Sequence, residues 1–509
     1  MDKLSFLPSS TRSQEALATA AALLAAYAIW RRSTKPSYKG AKALPQPPTL
    51  PLLGNVHLIG NDPLKCFEYY AQKLGPIFRF DLGSQRWVII NDAAIAYELT
   101  SKRGALYNSR PTRNPFEDIV THHFKSLASS PYGEEWRKRR RIFMDALGAR
   151  RLPKYQEYID LEAEHLFSNI AKTQQQPTSP LPFIQLFTYN VIIKVLIDER
   201  FPSPDDPWVV REMEIGEKMF EFVSPTGNLA QIFPILGFLP QTWVGYREED
   251  VQALSKEGYS RFETMIARLK KRLDSGEDVH CFCRDILEKE AQGELDHEEV
   301  LTMMGVTIGA GYETTSTTVT WWIAEMANHP ETQARVFAEL KGRVGARKFP
   351  TYEEALELPY LNATIRETMR LHPAGPFAVP HLVMDDDVYQ DYHIPKDYTV
   401  ILNVYGMNRD PNRFVNPTEF KPERYLDVYQ PSSALANGKP DDRDHTTFGF
   451  GRRVCAGMHL AERELLVVTS VIASNFMIEP VDGPIDTEHF KLGLAMSALP
   501  YNVKFIPRS

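Results

Sequence analysis

The chain has 509 residues, 43% of them hydrophobic and 24% charged, and a formal net charge of −7. These proportions are typical of a globular protein with a large core. The acidic balance argues against a nucleic-acid-binding protein, because such proteins are normally basic. The four cysteines are too few and too scattered for a disulfide framework, which favours reduced thiols in a reducing compartment.

An uncharged, alanine-rich stretch at residues 16–30 is followed at once by Arg31 and Arg32. It is short for a helix that spans a bilayer, which needs about 20 residues. A cleaved signal peptide is the alternative, but its basic residues would precede the apolar run. Because the positive charges follow it, we expect residues 1–15 to be a short lumenal N-terminus and residues 16–30 to be a membrane anchor helix. The rest of the chain then lies in the cytosol.

Residues 31–51 are basic and rich in proline, and predict a stiff, extended hinge, since proline fixes φ and removes an amide donor. Two apolar runs, Ile77–Leu82 and Trp87–Ile90, flank Gly83 and predict a β-hairpin. Farther on, the pattern is mostly helical. Residues 232–240 form an apolar loop between helices, which is typical of a ligand gate or a membrane contact.

Trp136 and Arg140 are four residues apart on a predicted helix and so share one face. A planar guanidinium suits a carboxylate partner. Other cations lie round the remaining faces of this helix, and they are Arg137, Lys138, Arg139 and Arg141. Such a run is either a solvated surface or a surface that steers a charged partner.

A long helix is predicted between Leu295 and Pro330, because Asp296 and Glu299 form a capping-box pair and no proline intervenes. Gly311 lies in its middle, where a glycine costs about 1 kcal/mol relative to alanine. Close approach of a flat ligand is one reason for such a glycine.

Residues Phe448–Gly457 surround Cys455 with glycines and precede a predicted helix. A glycine-rich loop lets a large flat ligand approach the backbone. A thiolate at the start of a helix is stabilised by the dipole and by free amide donors. The alternative is a buried thiol that packs as a small hydrophobe.

The spacing of Phe448, Gly451, Arg453, Cys455 and Gly457 resembles the haem-binding signature of the cytochrome P-450 superfamily. The resemblance implies a mainly α fold, in which residues 52–509 form one catalytic haem domain with small β-sheets around a buried haem b. In this family the cysteine sulfur is the axial ligand of the iron, so Cys455 is the expected metal ligand. The amino-acid sequence of the cysteine loop resembles that of fungal members.

The same resemblance assigns further residues to the cofactor. The haem propionates are expected on Arg453, Trp136, Arg140 and His381, although a merely packed histidine fits His381 equally well. Contacts to the haem are expected from Phe448, Gly449, Gly457 and Gly311. The segment containing Glu313 and Thr314 is similar to the oxygen-activation element, where a distorted turn places a hydroxyl at Thr314 and the acid of a proton relay at Glu313.

Two supporting features follow from the resemblance. Glu367, Arg370 and Arg424 are expected to form a buried triad that supports the cysteine loop, and loss of one partner should cost about 3–5 kcal/mol. The candidates for lining a hydrophobic substrate pocket are Phe116, Val306, Val379 and Met496.

The expected activity is that of a haem-thiolate monooxygenase that inserts one oxygen atom from O2 into a steroid, a terpenoid or another secondary metabolite. Electrons would come from an NADPH-cytochrome P-450 reductase, with cytochrome b5 as a second donor, at the endoplasmic reticulum membrane. Two alternatives remain open from the sequence. One is a haem-thiolate isomerase or dehydratase that uses no external O2, against which Thr314 argues, and the other is a non-catalytic haem-binding protein.

Overall fold

The structure is a computed structural model, and it describes residues 38–60, 62–224, 227–345, 349–493 and 495–508. The expected lumenal segment, the expected anchor helix and the first part of the expected hinge lie outside these ranges. No helix within them is both long enough and apolar enough to cross a membrane.

Helices dominate the described part of the chain. Eleven of the helices there have ten or more residues, and they are α1 Pro63–Leu74, α2 Glu134–Leu147, α3 Gln156–Ala171, α4 Leu181–Ile197, α5 Pro207–Val223, α6 Glu248–Asp274, α7 Phe282–Ala291, α8 His297–Asn328, α9 Pro330–Val344, α10 Pro359–Leu371 and α11 Met458–Asn475. Shorter α-helical turns cover Val56–Ile59, Ala93–Tyr97, Gly104–Tyr107, Pro115–Val120, Gln241–Val244, Tyr352–Leu356, Val404–Met407 and Ser432–Leu435.

The long helix α8 has the predicted start. The Asp296 side chain accepts from the amide of Glu299 at 2.8 Å, and the Glu299 side chain accepts from the amide of Asp296 at 2.9 Å. This reciprocal capping box satisfies two amide groups that the first helical turn leaves open. The helix ends at Asn328, just before Pro330, as the sequence predicts.

Helix α8 runs through the core of the molecule. On one side it packs against α4, where the Thr188 hydroxyl donates to the carbonyl of Tyr312 at 3.1 Å. On another side the indole of Trp322 donates to Thr364 of α10 at 2.9 Å. Nearly all of the C-terminal half of α8 is buried, so α8 is the element around which the other core helices are arranged.

Strands are a minority element. The strands are β1 Lys42–Ala43, β2 Ile77–Leu82, β3 Gln85–Ile90, β4 His381–Leu382, β5 Asp387–Tyr389, β6 Tyr392–Ile394, β7 Thr399–Leu402, β8 Phe476–Pro480, β9 Phe490–Leu492, β10 Met496–Ala498 and β11 Val503–Pro507. The largest sheet has the order β2-β3-β7-β4. Its β2–β3 pair is antiparallel with Ile77 opposite Ile90, which confirms the predicted hairpin.

The proline segment from residue 44 to residue 49 contains no helix. It runs beside β2, where the amide of Arg79 donates to the carbonyl of Pro45 at 2.8 Å. The side-chain amide of Asn55 also donates to the carbonyls of Pro47 and Pro48, at 3.3 and 2.9 Å. The segment is therefore extended and fastened to the edge of the largest sheet.

Candidate active site

The loop before α11 folds back on itself around Cys455. The amide of Cys455 donates to the carbonyl of Phe448 at 2.9 Å, which closes the loop. Gly451 has φ +60°, and a Cβ there would collide with the carbonyl of Thr100. Only glycine combines this left-handed backbone with such a close approach. At Gly449 and Gly457 an added Cβ would meet no atom within 4 Å, so the loop borders open space.

The sulfur of Cys455 faces this space. The side chain is exposed, although burial among protein atoms raises the pKa of its thiol. A side chain can be both exposed and surrounded by protein atoms when it borders a space that the protein encloses. The backbone of Gly457 and Met458 and the nearby Arg140 oppose this rise in pKa and favour the thiolate. Gly457 is the N-cap residue of α11 and Met458 is its first residue, where the helix dipole stabilises negative charge on sulfur.

The middle of α8 contains an accessible position. Ala310 is exposed, although the helix on either side of it is largely buried. The hydroxyl of Thr314 donates to the carbonyl of Ala310 at 2.7 Å, so its oxygen keeps the capacity to accept a further hydrogen bond. The resemblance leads us to expect a distorted helical turn here. Helix α8 nevertheless continues through this turn without interruption.

The carboxyl of Glu313 is enclosed and incompletely paired. Its Oε2 atom is buried and has no hydrogen-bond partner among the described residues. Burial, with a smaller contribution from the charge of Glu217, raises the pKa of Glu313 to about 7, which Lys491 partly opposes. A carboxyl with this pKa exchanges its proton near neutral pH, as a proton relay requires.

Three arginines meet beside the cysteine loop without a carboxylate partner. Within the described ranges, Arg110, Arg140 and Arg453 form no ion pair. Their guanidinium groups instead donate to main-chain carbonyls. Arg110 donates to Ala128 at 3.0 Å, to Val379 at 2.8 Å and to Pro380 at 3.0 Å. Arg140 donates to Val454 at 2.8 Å, and Arg453 donates to Asn108 at 2.8 Å and to Ser130 at 2.7 Å.

The positive charge of this cluster is only partly compensated by the described residues, since the carboxyl of Glu117 acts on Arg110 without forming an ion pair with it. Burial lowers the pKa of Arg110 to about 9. Burial and the repulsion of Arg110 and Arg140 lower the pKa of Arg453 to about 8. Buried charges are normally paired, and an anion placed among these groups would reverse both effects. The cluster therefore suits the two propionates of a haem, as the enclosed thiol suits its iron.

Two other predicted propionate ligands have protein partners. The indole of Trp136 donates to the carbonyl of Leu127 at 3.1 Å, and the guanidinium of Arg453 lies 4.1 Å from the centre of the Trp136 ring. Nδ1 of His381 pairs with the carbonyl of Tyr107 at 2.7 Å. Burial and the nearby arginines lower the pKa of His381 well below its usual value, so the ring is neutral. Trp136 thus supports Arg453, and His381 contributes no positive charge to the cluster.

One expectation from the sequence needs correction, and another gains a second explanation. An added Cβ on Gly311 would lie 2.5 Å from Ile192 of α4, so helix packing also requires a glycine here, and the expected contact of Gly311 with the cofactor stays a prediction. Arg139 does not belong to the outer cationic surface, because it is buried and its Nε donates to Glu299 at 2.6 Å.

The predicted triad under the cysteine loop is present. Arg370 donates to both carboxylate oxygens of Glu367, at 2.7 and 2.8 Å, and Arg424 donates to one of them at 3.1 Å. Arg370 also donates to the carbonyl of Asn408 at 2.8 Å. The Asn408 side chain accepts from the amide of Thr446 at 2.9 Å, and the Thr446 carbonyl accepts from the amide of Gly449 in the cysteine loop. The triad thus reaches the loop through hydrogen bonds.

The four predicted pocket residues differ in burial. Met496 is fully buried, and its carbonyl accepts from the indole of Trp321 at 2.8 Å. Phe116 is buried against Phe222, with ring centres 6.5 Å apart. Val306 and Val379 are half-buried, and the carbonyl of Val379 is one of the acceptors of Arg110.

Sequence reasoning missed Arg110, the most completely enclosed member of the arginine cluster. It lies in an irregular segment between two short helices, and its neighbours Ser109 and Pro111 form no recognisable spacing with Trp136 or Cys455. Only the folded chain brings it to within electrostatic reach of Arg453.

Comparisons with known proteins agree with this site. The sequence model of the family described as Cytochrome P450 matches residues 44–505. A cytochrome P450 monooxygenase of Aspergillus niger, yanC, is 33% identical over 506 residues, covering 96% of this chain and 92% of that protein. The monooxygenase virE of Hypocrea virens is 29% identical, covering 91% of this chain and 85% of that protein. A zebra fish cytochrome P450 structure with progesterone has a TM-score of 0.75 and 24% identity, covering 88% of this chain and 99% of that one.

The fold is that of cytochromes P450, and the chain belongs to the cytochrome P450 family. It is a monooxygenase, an oxidoreductase that incorporates oxygen from O2, and haem b is its cofactor. Like other members, it requires a redox partner and acts on a hydrophobic substrate. The expectation of a P450 monooxygenase is therefore confirmed.

Proposed function

We propose that Cys455 supplies the thiolate that holds the haem iron. The observation that carries this proposal is the exposed position of Cys455 at the start of α11, where the backbone of Gly457 and Met458 and the nearby Arg140 favour the thiolate. The other three cysteines of the chain are buried. Because burial raises the pKa of all four thiols, the exposure of Cys455 in the glycine-rich loop is what sets it apart from the other three.

The arginine cluster would hold the propionates. Arg110, Arg140 and Arg453 form no ion pair among the described residues, and guanidinium groups bind carboxylates well. In this role Trp136 supports Arg453 from below its guanidinium plane, and His381 fills the neighbouring space as a neutral ring. Phe448, Gly449 and Gly457 would form the wall of the site on the cysteine side.

When bound, haem b with a thiolate ligand supplies the redox chemistry that activates dioxygen. Glu313 and Thr314 would manage the protons of that reaction. With a pKa of about 7, the Glu313 carboxyl holds a proton in a substantial fraction of molecules at neutral pH. The Thr314 oxygen is free to accept a hydrogen bond because its own hydrogen is directed to Ala310.

The substrate would be a hydrophobic small molecule such as a steroid, a terpenoid or another fungal secondary metabolite. Support comes from the apolar character of Phe116, Val306, Val379 and Met496 and from the fungal relatives. The progesterone in the zebra fish structure belongs to that protein and fits the same broad class.

Electrons would come from an NADPH-cytochrome P450 reductase, with cytochrome b5 as a second donor. Arg137 and Arg452 are exposed, and both lie over the ring of Tyr132, at 5.8 and 5.3 Å from its centre. Because Arg452 is in the cysteine loop, these cations mark the surface nearest the thiolate. Exposed cations there suit an acidic donor domain.

The catalytic domain would rest on the endoplasmic reticulum membrane through an apolar face. This face comprises Leu50, Leu52, Leu53, Phe238, Leu239 and Trp243, all of which are exposed. Its two halves are adjacent, since the amide of Gly83 donates to Leu53 at 3.1 Å and the amide of Ser84 donates to Ile232 at 2.8 Å. Exposed aromatic and aliphatic side chains in one region are typical of a membrane contact. An anchor at residues 16–30 would enter the membrane beside it.

The proposed activity is tested by supplying the purified holoenzyme with a reductase, NADPH and isotopically labelled O2. Candidate hydrophobic substrates should yield products that carry one labelled oxygen atom. Conversion of a substrate without NADPH and without incorporation of the label would instead support an isomerase or dehydratase.

A further inference from the structure

Helix α5 lies directly over the turn of α8 that carries Glu313. A Cβ on Gly216 of α5 would lie 2.6 Å from the hydroxyl of Tyr312, and a Cβ on Gly309 would lie 3.6 Å from Phe220 of α5. Gly216 and Phe220 are one helical turn apart, so one face of α5 follows this part of α8. Glu217 follows Gly216 in this helix, and its charge acts on Glu313.

Glu217 is paired with a residue from another part of the chain. Its carboxylate forms an ion pair with the ammonium of Lys491, which lies on β9. Strand β9 pairs with β10, with Lys491 opposite Ser497. Strand β10 is in turn fastened to α8 by the Trp321–Met496 hydrogen bond of 2.8 Å. The Glu217–Lys491 pair thus joins α5 to a hairpin that is fixed on α8.

These two charges are the ones that act on Glu313 from the elements above it. From α5 the negative charge of Glu217 disfavours ionisation of Glu313, and from β9 the positive charge of Lys491 favours it. Glu221, one turn farther along α5, acts on Lys491. The side chains of Glu217 and Lys491 are 59% and 64% exposed, whereas Oε2 of Glu313 is buried and unpaired among the described residues.

We propose that Glu217 and Lys491 form a charge clasp that holds α5 over Glu313 and adjusts the protonation of that carboxyl. The inference rests on the proposed role of Glu313 as the relay acid and extends it to two residues that act on it. Both are positioning residues, since they act through Glu313. Movement of α5 away from α8 would separate Glu217 from Lys491. The clasp therefore also couples the position of α5 to the protonation of Glu313.

The clasp predicts shifts of opposite sign. In K491Q the favourable positive charge is lost, so Glu313 keeps its proton to higher pH. In E217Q the unfavourable negative charge is lost, so Glu313 releases its proton at lower pH. For exposed charges each shift should be about half a pH unit, or about threefold in the ratio of protonated to ionised Glu313. A purely mechanical role predicts another pattern, because either substitution breaks the same contact and both shifts would have one sign.

The experiment is an infrared pH titration of the carboxyl band of Glu313 in the ferric holoenzyme. The band is assigned by its loss in E313Q. K491R retains the charge and should titrate like the wild type. K218Q is a matched control, since Lys218 forms a similar exposed pair with Glu221 on the same helix. The opposite shifts should shrink in about 1 M salt, because exposed charges are screened.

Shifts of the same sign, no shift in either variant, or a Glu313 band that does not titrate between about pH 5 and pH 9 would overturn the clasp. Failure of the relay itself has a different signature. In that case E313Q would form as much product per NADPH consumed as the wild type, whatever the infrared titrations show.

Discussion

The buried triad beneath the cysteine loop gives the sharpest stability prediction. Glu367 and Arg370 are both fully buried, and each Glu367 oxygen accepts from Arg370 at 2.8 Å or less. The substitution E367Q keeps the shape but removes the negative charge, so two arginines lose their counter-ion. Breaking a buried ion pair in this way costs about 3–5 kcal/mol. Since folded domains are stable by only about 5–15 kcal/mol, the loss should be large.

The assay is urea unfolding of the holoenzyme, followed both by far-UV circular dichroism and by haem absorbance. We expect the E367Q midpoint to fall strongly, and haem to be lost at lower urea than the helical signal, because the triad reaches Gly449 through Asn408 and Thr446. E214Q is the control, since Glu214 pairs with Arg211 at an exposed site, where a pair contributes about 0–1 kcal/mol. If E367Q and E214Q unfold at the same urea concentration, the reasoning is refuted.

Three further predictions concern other parts of the molecule. G311A should lower the unfolding midpoint, because it places a Cβ 2.5 Å from Ile192, and the double variant G311A/I192A should recover part of the loss. Equal stability of G311A and G311A/I192A would contradict packing as the reason for the glycine. The relay acid is protonated below its pKa of about 7, so product formed per NADPH should fall as pH rises through 7 in the wild type, and this dependence should be absent in E313Q. The double variant F238S/W243S should bind less well to vesicles of phosphatidylcholine and phosphatidylserine, with unchanged haem absorbance; full binding would place the membrane contact elsewhere.

Local signals in the sequence predicted several features correctly. The capping box of Asp296 and Glu299 lies within four residues, and the β2–β3 hairpin lies within fourteen, so neither depends on distant contacts. The triad and the loop around Cys455 were predicted because the resemblance supplied spacings that composition and periodicity lack. Helix and strand periodicity alone would not have joined Glu367 to Arg424.

The remaining features depend on tertiary contacts. The cost of a mid-helix glycine is visible in the sequence, but the neighbour that requires it is not, and at Gly311 an added Cβ would meet Ile192. In the cationic run of α2, Arg139 and Arg137 look equivalent, yet only Arg139 is buried and paired with Glu299. Arg110 carries no motif at all. Its importance comes from its burial beside Arg453 without an ion pair among the described residues, which is a property of the folded environment.

The most direct test of the central claim is the carbon monoxide difference spectrum of the reduced protein, recorded beside C455A and C66A. Thiolate ligation by Cys455 predicts a strongly red-shifted Soret band in the wild type and in C66A, and its absence in C455A. Haem bound to folded wild-type protein without the shifted band, or the band persisting in C455A, would contradict Cys455 as the ligand and with it the proposed arrangement of the active site.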